Sequence, residues 1–581
     1  MMGILSRKYY VVLFCLVAAL LLPGCLHDGD VGGGDVGHAD AGLSYIKLRF
    51  GVSCGTFTRT NPSGGENGDG FENGQDYENR IGSAVVFLFD ATVGVGGDAS
   101  TPVIAVEFNN IVPVSGSGNP VYETESRQTE LPEGDYNVIV VANPGTDKWW
   151  NEHGLTLGEV RDHIQSVAWV QDAGGSYSDF LMSSANPVGK PLSVVAGSSE
   201  DDPSMVEVDV ERMAARVDYK ALNRYECADP AYAGSKVEIV GAAILNRFTA
   251  GSYLLKRVAD SATAGSVVEY LGEEKADGGV ATNYVIDPWT ALKTVDNAVL
   301  SETPFFVGGT SVNAAGLYAA GSYLSSGSDN PEEWSGYVKP CADVADPQTK
   351  EVWQLVGYTL ENTTARLETA KYYNTGIVFK AKFFPEGVDG YEEGNTFFTY
   401  EGTVYPSLSR ILGKINGRQN FGQYVSDNIG GNSSAEEIKT FASGLNDDPV
   451  GYRDYLLEGV YMSWDDYMSG VLGVDESGNG GPQINCNGIG TRAVLYEKSN
   501  KLLRTYYNGE CYYIWWLRHS NDGDDSVNGV MEYAVVRNNI YKVDVKSVFS
   551  IGGDIPEVEN LQKVTVYVNK WGLLGEEILH M

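Results

Sequence analysis

The chain has 581 residues, a net charge of −36 at pH 7 and a sequence pI near 4.5. That charge argues against nucleic-acid binding, which needs a basic footprint, and suits a soluble, exported surface. The length allows roughly two to four domains with a sizeable core; seventy glycines and 35 tyrosines point to β-structure with many turns.

At the start, Arg7 and Lys8 precede an apolar run over 9–22, YYVVLFCLVAALLL. It is too short for a comfortable membrane span and suits a signal peptide. The run ends in Leu22-Pro23-Gly24-Cys25, which resembles a bacterial lipobox. Residues 1–24 are therefore expected to be a lipoprotein signal peptide, with Cys25 the lipidated residue. Several acyl chains would hold the precursor on a membrane, since each buried CH₂ contributes about 0.8 kcal/mol. Residues 27–42, rich in Gly and Asp, have the composition of a flexible tether. The GGGDVG inside them has neither a preceding strand nor a βαβ unit around it, so it is no nucleotide motif.

The first strand signal is SYIKLRFGV at 44–52. Ile46, Leu48, Phe50 and Val52 alternate with Tyr45, Lys47, Arg49 and Gly51 and fall on opposite faces. CGTFTR then leads to Arg59 and a flexible TNPSGG. Further strands are expected at 83–91, 136–144, 204–222, 236–245, 375–384, 396–407, 511–519, 531–552 and 563–571, and helices at 156–167, 434–445 and 452–464. Short strands bounded by Gly, Asn and Pro read as β-sandwiches. The long 204–222 strand is expected to close a first unit near residue 220. In the last strand Val564, Val566 and Val568 share one face, and Trp571 continues an apolar tail. An apolar strand at a terminus docks either at home or on a neighbour.

Catalytic signatures are missing: there is no HExxH, GxSxG or Walker A motif. His153, His163 and His519 lie far apart, while His27, His38 and His580 lie in terminal segments; each reads as a surface or satisfied core residue. The stretch 522–533 has Val527 and Tyr533 where a calcium loop needs Gly and Glu, so a hairpin is expected and no metal. Cys227, Cys341, Cys486 and Cys511 allow two disulfides in an exported chain, with the pairing open; Cys54 lies just after the first strand. In YYIWWLRH, alternation turns one of Trp515 and Trp516 outward.

Taken in order, the lipobox at Cys25, the strand and arginine up to Arg59, VERMAARVDYKA, VVRNNIYKVDVKSV at 535–548 and VTVYVNKW resemble the fimbrillins of Bacteroides-type bacteria. Within these, the likeness is to the major shaft subunit family of the short (minor) fimbriae. The resemblance implies a mainly β fold of two transthyretin-like β-sandwich domains with a few short helices, after a lipoprotein signal and tether. Residues 25–59 would be the tether and removable first strand, 60–220 and 221–555 the two sandwiches, the second with insertions, and 556–581 the donor strand.

It further implies that an arginine-specific protease cuts the outer-membrane lipoprotein. Arg59, in a flexible loop, is the preferred site over Arg49, which lies inside a strand. Ile46, Leu48, Phe50 and Val52 would leave, and Val564, Val566 and Val568 of a neighbour would replace them, with Trp571 behind. A head-to-tail contact of that kind grows an open extracellular filament, which would serve adhesion and biofilm formation. The implied partners are identical or related subunits, the membrane before cleavage, the protease and a surface receptor; no cofactor is implied. The competing readings are a non-polymerising surface lipoprotein, such as a tip adhesin or a glycan- or peptide-binding protein, and an unrecognised hydrolase.

Overall fold

A computed structural model describes residues 44–52, 72–288, 353–363, 374–406, 492, 503–520 and 529–555, with breaks at 73, 94–98, 116–119, 152–153, 223, 250, 263–268 and 278–279. Short pieces at 290, 339–340, 445–446, 483–484, 569–570 and 577–580 are also described. The fold is mainly β with sandwich-like sheets.

The first sheet contains β1 (Ser44–Val52), β2 (Ala84–Asp90), β3 (Ile104–Phe108), β4 (Ile111–Pro113), β5 (Val121–Thr124), β6 (Arg127–Thr129) and β7 (Gly134–Ala142). Helix α1 (Asp76–Asn79) precedes β2, and α2 (Leu157–Asp162) follows β7. Then come β8 (Ile164–Gln165), a small hairpin of β9 (Val170–Gln171) and β10 (Tyr177–Ser178), and three strands of the first sheet: β11 (Met182–Ser184), β12 (Lys190–Val194) and β13 (Ser204–Arg212). The main path is β3-β2-β7-β11-β13-β1-β5-β4, with β12 on β7 and β6 on β1. Thus the first strand among the described residues is interior in the sheet. Its core includes Val86, Phe87, Val140 and Leu157, all fully buried.

Helix α2 starts as its sequence dictates. Thr156 accepts from the Glu159 amide, and Glu159 returns a bond to the Thr156 amide, a reciprocal cap. It ends sooner than the expected 156–167. His163 is extended, and Ile164 and Gln165 pair with Tyr253 and Ser252. Backbone bonds to a distant segment outcompete another helical turn.

The expected strand 204–222 is two strands. β13 stays in the first sheet; β14 (Ala215–Lys220) begins the second, so the chain changes sheets at Met213-Ala214. The second region continues with β15 (Lys236–Leu245), β16 (Gln354–Thr359), β17 (Gly376–Phe384), β18 (Glu510–Trp516) and β19 (Asn539–Ser547). β14 lies between β16 and β19, and β17 between β15 and β18. These two sheets share a core that includes Val217, Tyr219, Ile239, Phe379 and Val543. The first core also receives Phe248, Leu254, Leu255, Tyr358 and Leu360, so the second region helps to build the first.

Two other expectations are corrected. The strand expected over 531–552 starts only at Asn539, because Met531 and Asn538 have φ of 61° and 56°, which break an extended run. Trp515 and Trp516 are both buried. Trp515 joins the second core, and Trp516 lies against the bare Cα of Gly376, where a Cβ would meet its ring at 2.6 Å. The helices expected at 434–445 and 452–464 fall outside the described residues, save Leu445, which is in a two-residue strand.

Candidate functional site

β1 occupies a seat made by strands distant in sequence. Ile46–Val52 pair in parallel with Ser204–Val210. On the other side Arg49–Gly51 pair antiparallel with Glu123–Val121, and Ser44–Ile46 with Thr129–Arg127. Side chains complete the ladder: the Tyr45 amide donates to Ser198 Oγ (2.8 Å) and the Leu48 amide to Thr124 Oγ1 (3.0 Å).

The alternation read from sequence is realised as burial. Ile46, Leu48 and Phe50 are 0% exposed and Val52 3%, while Tyr45, Lys47, Arg49 and Gly51 are half-buried. At about 1.5–3 kcal/mol for each large apolar side chain, this face contributes most of the attachment. Withdrawing β1 would expose an apolar slot and two unpaired ladder edges, a ready template for another strand.

The other face of β1 is held by charge. Lys47 Nζ lies 2.8 Å from Glu123, and Arg49 Nε donates to the same carboxylate at 3.0 Å. Lys47 first, then Arg49, holds the Glu123 carboxyl below its usual range. Glu207 and Asp209 of β13 stand opposite Arg49 and Gly51 in the register. Sequence reading missed Glu123: the alternation of 44–52 flags the two cations, but nothing local identifies which carboxylate meets them.

At the other terminus, Asn569–Lys570 pair antiparallel with Asn539–Ile540, and Glu577–His580 pair in parallel with Val543–Ser547. Both pieces lie along β19 of their own chain. Cys25, Arg59, Val564, Val566, Val568 and Trp571 lie outside the described residues, as do Cys54, Cys341, Cys486, His27, His38, His153 and residues 521–528.

Two motifs singled out in the sequence meet where the chain changes sheets. β14 and β19 pair in parallel, Arg216 opposite Ile540. Arg212 donates to Asn538 Oδ1 at 3.0 Å, to the Glu78 carbonyl at 2.9 Å and to Asn79 Oδ1. Arg537, 0% exposed in its side chain, is bidentate to Glu361 with both bonds at 2.7 Å. It also donates to the Tyr253 and Leu254 carbonyls and, at 3.4 Å, to Ser183 of β11. The motif arginine is therefore a clasp between sheets.

Arg216 sits between two carboxylates, 3.2 Å from Glu78 and 2.8 Å from Asp218, and Tyr358 donates to Glu78. Burial pushes the Asp218 carboxyl up to about 6 against the pull of Arg216, from 3.8 in the free side chain. The folded chain therefore keeps a proton that the unfolded chain has released between those values. Stability from this site is greatest below about pH 4 and falls as pH rises through about 6. Asp218→Asn removes the effect. The stability difference, variant minus wild type, is expected to rise from pH 4 to pH 7 in urea melts; a flat difference contradicts the assignment.

Cys227 and Cys511 are free and buried, which corrects the expectation of two disulfides among the four candidates. Cys227 Sγ donates to the Phe549 carbonyl, and burial pushes the Cys511 thiol up to about 12; such thiols are inert. His519 is a satisfied core residue, 3.1 Å from the Tyr541 hydroxyl and 3.0 Å from Glu274. His163 stacks on Trp149 with ring centroids 3.9 Å apart. Among the described residues no group of three or more His, Cys, Asp or Glu is arranged to hold a metal ion.

Residues 504–576 match the family model for the major fimbrial subunit protein type IV, fimbrillin, C-terminal. This stretch, which contains β18, β19 and the motif at 535–548, is thus similar to the C-terminal part of fimbrillins. No curated protein sequence matches the chain. Similar solved structures include a candidate cell-adhesion protein from Parabacteroides distasonis ATCC 8503, at 11% identity over 60% of this chain and 80% of that one, TM-score 0.29. Another is the tip fimbrial protein Mfa3 from Porphyromonas gingivalis with a C-terminal truncation, at 12% over 60% and 83%, TM-score 0.26. A third is a fimbrial assembly protein from Parabacteroides distasonis ATCC 8503, at 11% over 46% and 80%, TM-score 0.25.

Proposed function

We propose that this chain is a structural, non-catalytic subunit of a surface fimbrium, repeated along the shaft. It is exported as an outer-membrane lipoprotein on Cys25, cut after Arg59, and polymerised by strand replacement into an extracellular filament that serves adhesion. The observation that carries the reading is the seat of β1. An N-terminal strand is inserted between β13 and the β5/β6 edge, and the chain between β1 and the rest of its sheet carries Arg59 just before a Gly- and Asn-rich sequence. One cut there separates the strand covalently from the sheet it completes. Arg49 is a poor alternative, since its own peptide lies within the ladder and its side chain is held by Glu123. Val564, Val566 and Val568 of a neighbour supply an apolar face similar to the one that leaves, and β-strand addition satisfies the exposed ladder groups.

The test uses the soluble full chain with Cys25→Ser, treated with an arginine-specific protease. The expected result is a new N-terminus at Thr60 by mass spectrometry, with SDS-resistant ladders or filaments by negative-stain microscopy. A start at Phe50 with polymers would move the cut and keep the mechanism. The pairing of residues 569–570 and 577–580 with β19 of the same chain favours a second reading, a non-polymerising surface lipoprotein that keeps both end strands at home. A clean cut that leaves a stable monomer supports that reading.

A further inference from the structure

The slot left by β1 is apolar inside and acidic along its outer rim. Glu123, Glu207 and Asp209 stand against the outward positions of β1. In the intact chain Lys47 and Arg49 neutralise that rim, chiefly at Glu123. Removing β1 removes both cations together. A replacement strand of purely neutral outward residues would leave these carboxylates facing the strand between them with no counter-charge from it, which is unfavourable.

We infer that Glu123 sets the register and the selectivity of the groove: the carboxylate that latches Lys47 and Arg49 in the precursor receives Lys563 of the C-terminal strand of a second copy. The inference rests on the strand-replacement reading above. Two registers in the direction of β1 place the three valines on the four apolar seats of Ile46, Leu48, Phe50 and Val52. If Val564, Val566 and Val568 take the places of Ile46, Leu48 and Phe50, Lys570 falls at the 3%-exposed seat of Val52 and Glu123 meets only Thr565 and Tyr567. If they take the places of Leu48, Phe50 and Val52, the buried seat of Ile46 receives Gln562, and Lys563 stands where Lys47 stood, beside Glu123. Burying an amide costs far less than burying an ammonium. The apolar seats and the rim charge therefore select the same register. At the Gly51 seat this register brings Tyr567, whose Cβ would come within 2.7 Å of Asp209 Oδ1. Asp209 must swing aside, which a carboxylate at the end of a short side chain does readily.

The test is peptide binding to the Arg59-cut full chain, with fluorescent peptides of residues 560–572 competing against the retained first-strand peptide, followed by anisotropy. The wild-type peptide is expected to bind. The Lys563→Glu peptide should bind about tenfold more weakly, the order expected when an attractive cross-strand pair becomes repulsive, and the difference should shrink in high salt. On Glu123→Lys protein the preference should reverse. Glu123→Gln, which keeps the shape, should abolish the difference without reversing it, so a misfolded charge-reversal variant does not decide the question. Wild-type binding with no dependence on residue 563 or 123 overturns this inference and leaves strand replacement standing. No binding by any peptide overturns strand replacement itself.

Discussion

Arg537→Ala is expected to cost about 3–5 kcal/mol of stability, because it strands a buried carboxylate rather than merely deleting a side chain. Arg537 and Glu361 are both 0% exposed in their side chains and joined by two bonds of 2.7 Å. Among the described residues, Glu361 would keep only a 3.4 Å bond from Ser252. The carbonyls of Tyr253 and Leu254 would lose their donor as well. Urea denaturation of the full chain measures the loss. Replacing both partners, Arg537→Met with Glu361→Leu, should recover much of it, since removing both charges avoids the stranded ion. If the double variant is as unstable as the single, the ion pair is not the source of the loss, and the arginine's bonds to the carbonyls are.

Val566→Asp is expected to abolish assembly while leaving the monomer folded. Val566 is the middle of the three valines on one face of the C-terminal strand. In a neighbour's slot it would stand among seats that Ile46, Leu48, Phe50 and Val52 keep essentially dry. Burying an unpaired carboxylate there costs several kcal/mol at least, and a one-residue slip to avoid it would turn both Val564 and Val568 outward. The measurement is protease-triggered polymerisation by negative-stain microscopy, with urea melts of the uncut variant as the folding control. Ordinary filaments from the variant would sink the strand-replacement mechanism. A variant that fails to fold before cleavage would mean that this strand is needed at home.

These two experiments address different parts of the molecule. Arg537 ties β11 of the first sheet and the Ser252–Leu254 segment, which packs on the first core, to the start of β19, so its loss should loosen the whole chain. Under the proposed strand replacement, Val566 acts between chains. Parallel assays of stability and assembly therefore separate a subunit that cannot fold from one that folds and cannot join.

The sequence by itself determined whatever depends on neighbours a few residues away. The alternation over 44–52 identified the buried set Ile46, Leu48, Phe50 and Val52, because side chains of a strand point to opposite faces in turn. Thr156 and Glu159 marked the start of α2, because a cap is a local exchange of hydrogen bonds. Strands at 236–245 and 376–384 were similarly legible from their β-branched and aromatic content.

What the tertiary structure decided are the relations between residues far apart. The run 204–222 looks like one strand, yet Arg212 ends in one sheet and Ala215 begins in another. β19 starts late because of left-handed turns at Met531 and Asn538. Lys47 and Arg49 showed that the outer face of β1 was basic, but only folding brought Glu123 across from them. Likewise the motif containing Arg537 stood out without its purpose. A buried guanidinium must find a carboxylate, and among 77 acidic residues no local pattern points to Glu361, because long-range pairing is set by the packing of whole sheets.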